Sequence, residues 1–186
     1  MNQYLYETSF LYPKFGLYKL HQEIWSRILN RSPEEKRDFL YTFSRPDFYS
    51  GLMVTVRSQH IPEKIPKQRL EIPIKDQSIP YSLRANPTTQ DDHGKHRAIM
   101  GHSQLINWLE HQGQRHGFTT HNTKATQCCT TIKRTGRRPI ILNDAIFIGT
   151  LQIIQPTLFY LAMEKGIGRA RGFGYGMLML THRNLS

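Results

Sequence analysis

The pattern of apolar and polar positions in the first part of the chain predicts one helix among several strands. Apolar residues recur at spacings of three and four, the stripe of an amphipathic helix, at Leu17, Leu20, Ile24 and Ile28. Alternating or aromatic-rich runs that favour strands cover residues 2–12, 37–45 and 51–60. Prolines interrupt residues 61–75 and are incompatible with a regular helix, so we expect only a short strand there, at about 70–74.

The remainder of the chain predicts a second series of elements in a similar order. A strand over 78–87 ends at Pro87, and the polar, turn-rich segment 88–101 indicates a loop. Helical spacing over 102–115 predicts a helix with Ser103 as its N-cap. The elements predicted after it are strands at 117–133 and 140–154 around a hairpin tip at 134–139, a helix at 155–166 and a closing strand at 175–182.

Both series have the order β-α-β-β-α-β, with an irregular segment in place of the second helix of the first series. This order predicts an α+β fold of two tandem ferredoxin-like domains, residues 1–76 and 77–186. The same topology is found in the RRM, a common RNA-binding module. Because the RRM aromatic signatures are missing from this chain, the topology by itself does not give a function.

Charge adds a class of ligand to this picture. The chain has 25 Lys and Arg residues against 14 Asp and Glu, a net charge of +11, and from Arg97 onward eleven basic residues face only three acidic ones. Such a field attracts polyanions, among which nucleic acid is the usual one. A basic surface that only aids solubility is the alternative.

Three simple features indicate a cytoplasmic protein. No apolar run approaches the roughly 18 residues that a membrane span needs. The first ten residues lack the basic and then apolar pattern of a secretory signal. The two cysteines, Cys128 and Cys129, are adjacent and do not form a disulfide framework.

A glycine-rich segment, "GIGRARGFGYG", lies between the last predicted helix and the closing strand. Familiar phosphate-binding loops follow a strand and precede a helix, and neither of their glycine spacings fits here. We therefore expect a loop whose backbone N–H groups and arginines hold an RNA backbone, with contacts at Gly168, Arg169, Gly172 and Gly174. A plain helix C-cap followed by a turn is the alternative.

With the apolar run that follows it, this segment resembles the C-terminal glycine-rich loop of the CRISPR RNA-processing endoribonucleases of the CasE type, the RNA-cleaving subunit of type I-E Cascade. The segments "LYKLHQEIW", "YSLRANP" and "INWLEHQGQRHGF" are similar to other parts of that family, in the same order, from about Tyr4 to Leu180. The resemblance implies two ferredoxin-like domains. It also implies a metal-independent endoribonuclease, without a cofactor, that cleaves CRISPR repeat RNA at the base of its hairpin by attack of a 2′-OH.

The resemblance also assigns the catalytic residues. It implies a 5′-OH and a 2′,3′-cyclic phosphate or 3′-phosphate as products. His21 is expected to be the general acid, with an additional role as general base left open, and Tyr18 is expected to orient the 2′-OH or the phosphate. Tyr18 and His21 are three residues apart and so are neighbours on a helix surface. Several relatives have a lysine where this chain has Arg171, and arginine keeps a charge-stabilising role but not proton transfer near neutral pH.

Further basic residues are candidates for RNA binding. The predicted hairpin tip places four cations where they can follow the phosphates of a stem, namely Lys133, Arg134, Arg137 and Arg138. Arg27 and Arg31 extend from the predicted helix of His21, and Arg84 lies in the "LRANP" signature, where a structural role is the alternative. A solvated turn is the alternative for the tip.

The sequence favours no metal site, because it has neither a C-x-x-C pair nor an H-E-x-x-H motif and its carboxylates are scattered. A solvated loop is the preferred interpretation of His93 and His96. The partners implied by the resemblance are the repeat or guide RNA hairpin and the Cascade backbone subunit, with a monomer outside that complex and no membrane. A non-catalytic RNA-hairpin-binding subunit and a DNA-binding architectural protein are the alternatives.

Overall fold

The structure, a computed structural model, describes residues 4–181 apart from 14–15, 31, 33–34, 46–50, 74–76 and 135. Within these residues, the first half forms one helix and a four-stranded antiparallel sheet. Its elements are β1 (Tyr6–Tyr12), α1 (Leu17–Glu23), which continues as a π-helical turn (Ile24–Ile28), β2 (Phe39–Ser44), β3 (Leu52–Ser58) and β4 (Gln68–Arg69). The predicted apolar stripe is confirmed, because Leu17, Leu20 and Ile24 are buried against this sheet.

The strand predicted at 70–74 is wrong in position. The fourth strand is the two-residue β4, which pairs with Tyr6 and Glu7 of β1, and one further backbone bond joins Leu70 N–H to Leu5 O at 2.8 Å. Pro73 lacks an N–H donor, which is consistent with a strand that ends before it.

In the second half, the described residues form two helices, a second four-stranded sheet and a small hairpin. Its elements are β5 (Ile79–Ala85), β6 (Thr88–Gln90), β7 (His96–Ala98), α2 (His102–His116), β8 (Phe118–Arg134), β9 (Arg137–Ile153), α3 (Pro156–Lys165), a 3₁₀ turn (Arg171–Phe173) and β10 (Leu178–Leu180). The two sheets have the orders β2-β3-β1-β4 and β10-β5-β9-β8. Each is the ferredoxin-like order, in which the first strand lies between the third and the fourth, so the predicted fold class is confirmed.

Two local expectations in the second half are wrong. The segment 88–101 forms the β6–β7 hairpin because the Asp91 carboxylate closes its turn, accepting bonds from the backbone N–H of Lys95 at 2.9 Å and from Arg97 Nε at 2.9 Å. The N-cap of α2 is Gly101, at φ 92°, without a side-chain cap bond, and Ser103 is already inside the helix.

The hairpin of β8 and β9 connects the two halves. Each strand has 17 residues, and the end of the hairpin contributes Ile132 and Leu142 to the core around α1. In return, Leu5 from the first half packs into the core of the second. The predicted boundary at residue 76 lies outside the described residues and stays a prediction.

A buried arginine also joins the halves. Arg57 of β3 is only 1% exposed, and its guanidinium donates to Glu7 Oε1, to Met163 O at 3.1 Å and to Leu178 O at 2.8 Å. The carboxylate of Glu7 compensates the buried charge, while the two carbonyls belong to α3 and β10. The end of α3, and the glycine-rich segment after it, are thereby fixed against the first sheet.

Candidate active site

A cleft of about 700 Å³ lies between the start of α1 and the β8–β9 hairpin. Tyr18, which is 42% exposed, and Lys133 line it, so the structure brings these two predicted residues together. Lys19 and Arg45 add two cations that the sequence interpretation missed. The only acidic residue among the described lining residues is Asp144, and the cleft is therefore suited to a polyanion.

Arg84 also lines this cleft, but its guanidinium has protein partners. Its Nη1 donates to Asp144 Oδ2 at 3.0 Å, and its Cζ lies 4.2 Å from the centroid of the Phe43 ring. Thr130 Oγ1 donates to the same carboxylate oxygen at 2.8 Å. These contacts give Arg84 a structural role in bracing the cleft, and its contact with RNA stays a prediction.

His21 lies beside the cleft rather than among its described lining residues. Its half-buried ring stacks on Phe39 with 5.9 Å between centroids and lies 6.0 Å from the ring of Trp25. Its Nδ1 is buried and has no hydrogen-bond partner among the described residues. Desolvation and, second, the positive charge of Arg37 lower the pKa of His21, so its neutral form is favoured at neutral pH.

Arg37 is a residue that the sequence interpretation did not single out. It precedes β2, and its Nη1 lies 3.0 Å from the point where a Cβ on Gly172 would stand, which brings it to the glycine-rich segment. Although the residue as a whole is exposed, partial desolvation and the like charge of Arg171 lower the pKa of its guanidinium. No spacing in the sequence points to Arg37, because its neighbours come from distant segments.

Arg171 is held by the glycines on either side of it. A Cβ on Gly166 would lie 3.1 Å from Arg171 Cδ, and one on Gly176 would lie 3.2 Å from its Cγ. The aliphatic part of the Arg171 side chain therefore packs between the backbones of these two glycines. Arg171 Nη1 donates to Lys165 O at 2.7 Å, at the C-terminus of α3. The glycine pattern of this segment therefore holds an arginine in place.

The 3₁₀ turn that carries Arg171 docks on the first half of the chain. Tyr41 Oη donates to Gly172 O at 3.0 Å, and burial raises the pKa of Tyr41, which keeps the phenol protonated and a donor. Gly174 is buried at φ +86°, and a Cβ there would lie 2.7 Å from Phe43 Cδ1 and 2.9 Å from Tyr41 Cε2. The structure thus gives Gly174 a packing role, and RNA contacts of Gly172 and Gly174 stay predictions.

The two arginines of the segment diverge. Arg169 is exposed and, together with Gly168, lines a second groove along α2, whereas Arg171 lies near Arg37. Arg137 and Arg138 are exposed at the end of the β8–β9 hairpin, as the sequence predicts. Candidates outside the described part of the chain are Arg31 and the side chains of Arg27 and Arg134.

Among the residues that the structure describes, no group of three or more His, Cys, Asp or Glu side chains is placed to hold a metal ion. Within the same residues, no helix is long and apolar enough to cross a membrane.

The comparison with protein families gives the identity. Residues 14–182 match the model of a family described as CRISPR associated protein. The chain belongs to this family. The family that the glycine-rich segment and its three companion segments predict is thereby confirmed, although among curated proteins none matches this chain in sequence.

Solved structures show the same fold over nearly the whole chain. A CRISPR endoribonuclease Cse3 bound to a 19-nucleotide RNA has a TM-score of 0.81 and 19% identity, covering 96% of this chain and 100% of its own. The CRISPR-associated protein Cas6e of Escherichia coli K-12 has a TM-score of 0.73 and 20% identity over 96% and 98%. A chain of a CRISPR RNA-guided surveillance complex has a TM-score of 0.69 and 16% identity over 95% and 98%.

Proposed function

We propose that this chain is an endoribonuclease that cleaves CRISPR repeat RNA at the base of its hairpin without a metal ion. The observation that carries the proposal is the position of His21. Its ring centroid lies 6.3 Å from that of Tyr41, which donates to Gly172 O in the turn that carries Arg171, and the charge of Arg37 acts on its imidazole. The likeness to a fold whose solved examples include an endoribonuclease bound to RNA supports it.

The chemistry assigned to the site is an intramolecular displacement at phosphorus. Neutral His21 accepts the proton of the 2′-OH, and the 2′-oxygen forms a bond to phosphorus as the bond to the 5′-oxygen breaks. The imidazolium of His21 formed in this way gives its proton, as general acid, to the 5′-oxygen, which leaves as a 5′-OH. The other fragment ends in a 2′,3′-cyclic phosphate, which addition of water can open to a 3′-phosphate. The lowered pKa of His21 favours the accepting role in the free protein.

The arginines take the part that a metal ion plays in other nucleases. Charge accumulates on the phosphoryl oxygens during the displacement, and guanidinium groups offset it while remaining charged. Arg37 and Arg171 are assigned this role because Arg37 Nη1 reaches Gly172 in the docked turn, next to Arg171, whose charge lowers the pKa of Arg37. Tyr18, exposed in the neighbouring cleft, orients the 2′-OH or the phosphate.

The product hairpin is expected to stay bound. The cations of the cleft and of the exposed end of the β8–β9 hairpin contact the phosphates of the RNA stem. These contacts remain after cleavage, because the cleaved bond lies outside the stem. The likeness to a chain of a surveillance complex supports assembly into Cascade through contact with its backbone subunit. Outside that complex, the protein is proposed to be a monomer.

The test is cleavage of cognate repeat RNA by the wild-type protein and by His21→Ala, each in the presence of EDTA. We expect a single cut by the wild type and a loss of at least about a hundredfold in the single-turnover rate for the variant, the usual worth of a general acid or base. Cleavage by His21→Ala at the wild-type rate would refute the assignment of His21. Cleavage that EDTA abolishes would refute the metal-free mechanism.

A second candidate is a subunit that binds the RNA hairpin without cleaving it. It is favoured by the packing of the His21 ring against Phe39 and Trp25, outside the described lining of the cleft. In that case the wild-type protein binds the hairpin tightly and leaves it intact, and His21→Ala binds equally well. The same gel, run beside a binding titration, separates the two candidates.

A further inference from the structure

A second groove, of about 1080 Å³, runs between α2 and the β6–β7 hairpin and ends at the glycine-rich segment. It shares no described lining residue with the cleft beside Tyr18. Its far end is Gly168 and Arg169, and Gly168 lies so close to α2 that a Cβ there would be 3.2 Å from Trp108 Cζ2. The groove and the candidate active site therefore meet through one short segment.

The side of α2 that lines this groove is mostly polar, whereas other residues of the helix are packed in the core. Positions spaced by three and four along α2 form one face of the helix. That face carries amide, imidazole and guanidinium groups, at Gln104, Asn107, His111, Gln112 and Arg115. None of the described lining residues is an Asp or a Glu.

The β6–β7 hairpin, which forms the opposite wall of the groove, is held by hydrogen bonds to residues of β8 and β9. Asn143 Nδ2 donates to Pro87 O at 2.9 Å and to Ile99 O at 2.8 Å, and Gln127 Nε2 donates to Ile99 O at 2.7 Å. Asn86 Oδ1 accepts the backbone N–H of Asn143 at 3.0 Å. These bonds fix both ends of the β6–β7 hairpin, so the groove is formed before any ligand binds.

The chemistry of this lining suits unpaired RNA, because it offers amides, imidazoles and arginines and no carboxylate among its described residues. Amide side chains offer a donor and an acceptor together, which matches the exposed edges of unpaired bases, and arginine grips phosphate. A duplex presents its base edges in paired form, whereas the bases of a short single strand are free to form hydrogen bonds with side chains. Arg115 on α2 and Arg169 at the end of the groove supply the positive charge for the phosphates.

We infer that this groove binds the unpaired nucleotides that adjoin the RNA hairpin, next to the bond that is cleaved. The inference rests on the proposed function. Its geometric support is the short distance between this groove and the candidate active site. Arg169 in the groove and Arg171 near Arg37 are two residues apart, so their Cα atoms lie at most about 7 Å from each other. An RNA strand that leaves the active site can pass directly along α2.

The test compares two RNAs and three proteins, all carrying His21→Ala so that the RNA stays intact. One RNA is the cognate repeat hairpin trimmed to its stem and loop, and the other keeps the flanking repeat nucleotides. Besides the His21→Ala parent, one protein adds Asn107→Ala, His111→Ala and Gln112→Ala together, and the matched control adds Ser103→Ala, which is exposed on α2 outside the described lining. Affinities are measured by titration at fixed salt, and the fold is checked by circular dichroism.

We expect the parent and the control to bind the flanked RNA more tightly than the trimmed hairpin. The triple variant should lose about tenfold on the flanked RNA, the order of one or two base-edge contacts, and nothing on the trimmed hairpin. Unchanged affinity for the flanked RNA overturns the inference and leaves a protein partner as the occupant of the groove. An equal loss on both RNAs also overturns it. If the parent binds neither RNA, the proposed function fails as well.

Discussion

Replacing Gly174 by alanine places a methyl group against two aromatic rings from the other half of the chain. Two costs add. An L-residue at φ +86° pays about 1–2 kcal/mol for the left-handed backbone. Contacts of 2.7 Å to Phe43 and 2.9 Å to Tyr41 are shorter than a real Cβ makes, and the forced movement of packed rings costs about 1–3 kcal/mol more.

Together these give a loss of about 2–5 kcal/mol in the free energy of unfolding for Gly174→Ala. The chain offers a matched control in Gly136, which has φ +67° and nothing within 4 Å of a built Cβ. Gly136→Ala pays only the backbone cost, so the difference between the two variants isolates the steric contact, at about 1–3 kcal/mol. Urea denaturation with unchanged slopes measures both values.

The functional consequence follows from the same contact. The glycine lies directly after the 3₁₀ turn that carries Arg171, so pushing it away from Tyr41 moves that arginine from its place beside Arg37. We expect slower single-turnover cleavage of repeat RNA by Gly174→Ala under conditions where it is folded, and no such change for Gly136→Ala. Equal stabilities of the two variants would refute the idea that the ring contact docks this turn.

Three further predictions follow from single contacts. Arg37→Gln removes the second cause that lowers the pKa of His21, so the inflection of kcat/KM with pH should move to higher pH. The control Lys36→Gln, at the exposed neighbouring residue, should leave the inflection in place. An unmoved inflection in Arg37→Gln contradicts the effect of Arg37 on His21. Glu7→Gln leaves the buried charge of Arg57 without its carboxylate and should cost about 3 kcal/mol in urea denaturation, whereas wild-type stability would show that the two carbonyl bonds are sufficient. Neutralising the basic hairpin end should weaken RNA binding in a salt-controlled titration more than it slows cleavage of bound RNA, and equal binding would refute this for Lys133, Arg134, Arg137 and Arg138.

The elements whose signals are local could be predicted from the sequence. The spacing of Leu17, Leu20 and Ile24 is a property of a short segment. The segment forms a helix because apolar residues at this spacing lie on one face, and can be buried together, only in a helix. The order of strands and helices followed in the same way and gave the ferredoxin-like topology. The β6–β7 hairpin was missed because its turn depends on the bonds of Asp91 rather than on an apolar pattern.

The composition of the candidate site is only partly local. The sequence by itself determined a helix with Tyr18 and His21, a basic second half and a glycine-rich segment before the last strand. Only the tertiary structure decided that Arg37 lies at that segment and that the His21 ring is half buried. The physical reason is that the pKa of a histidine depends on which charges and how much water surround it, and here these neighbours come from segments far apart along the chain.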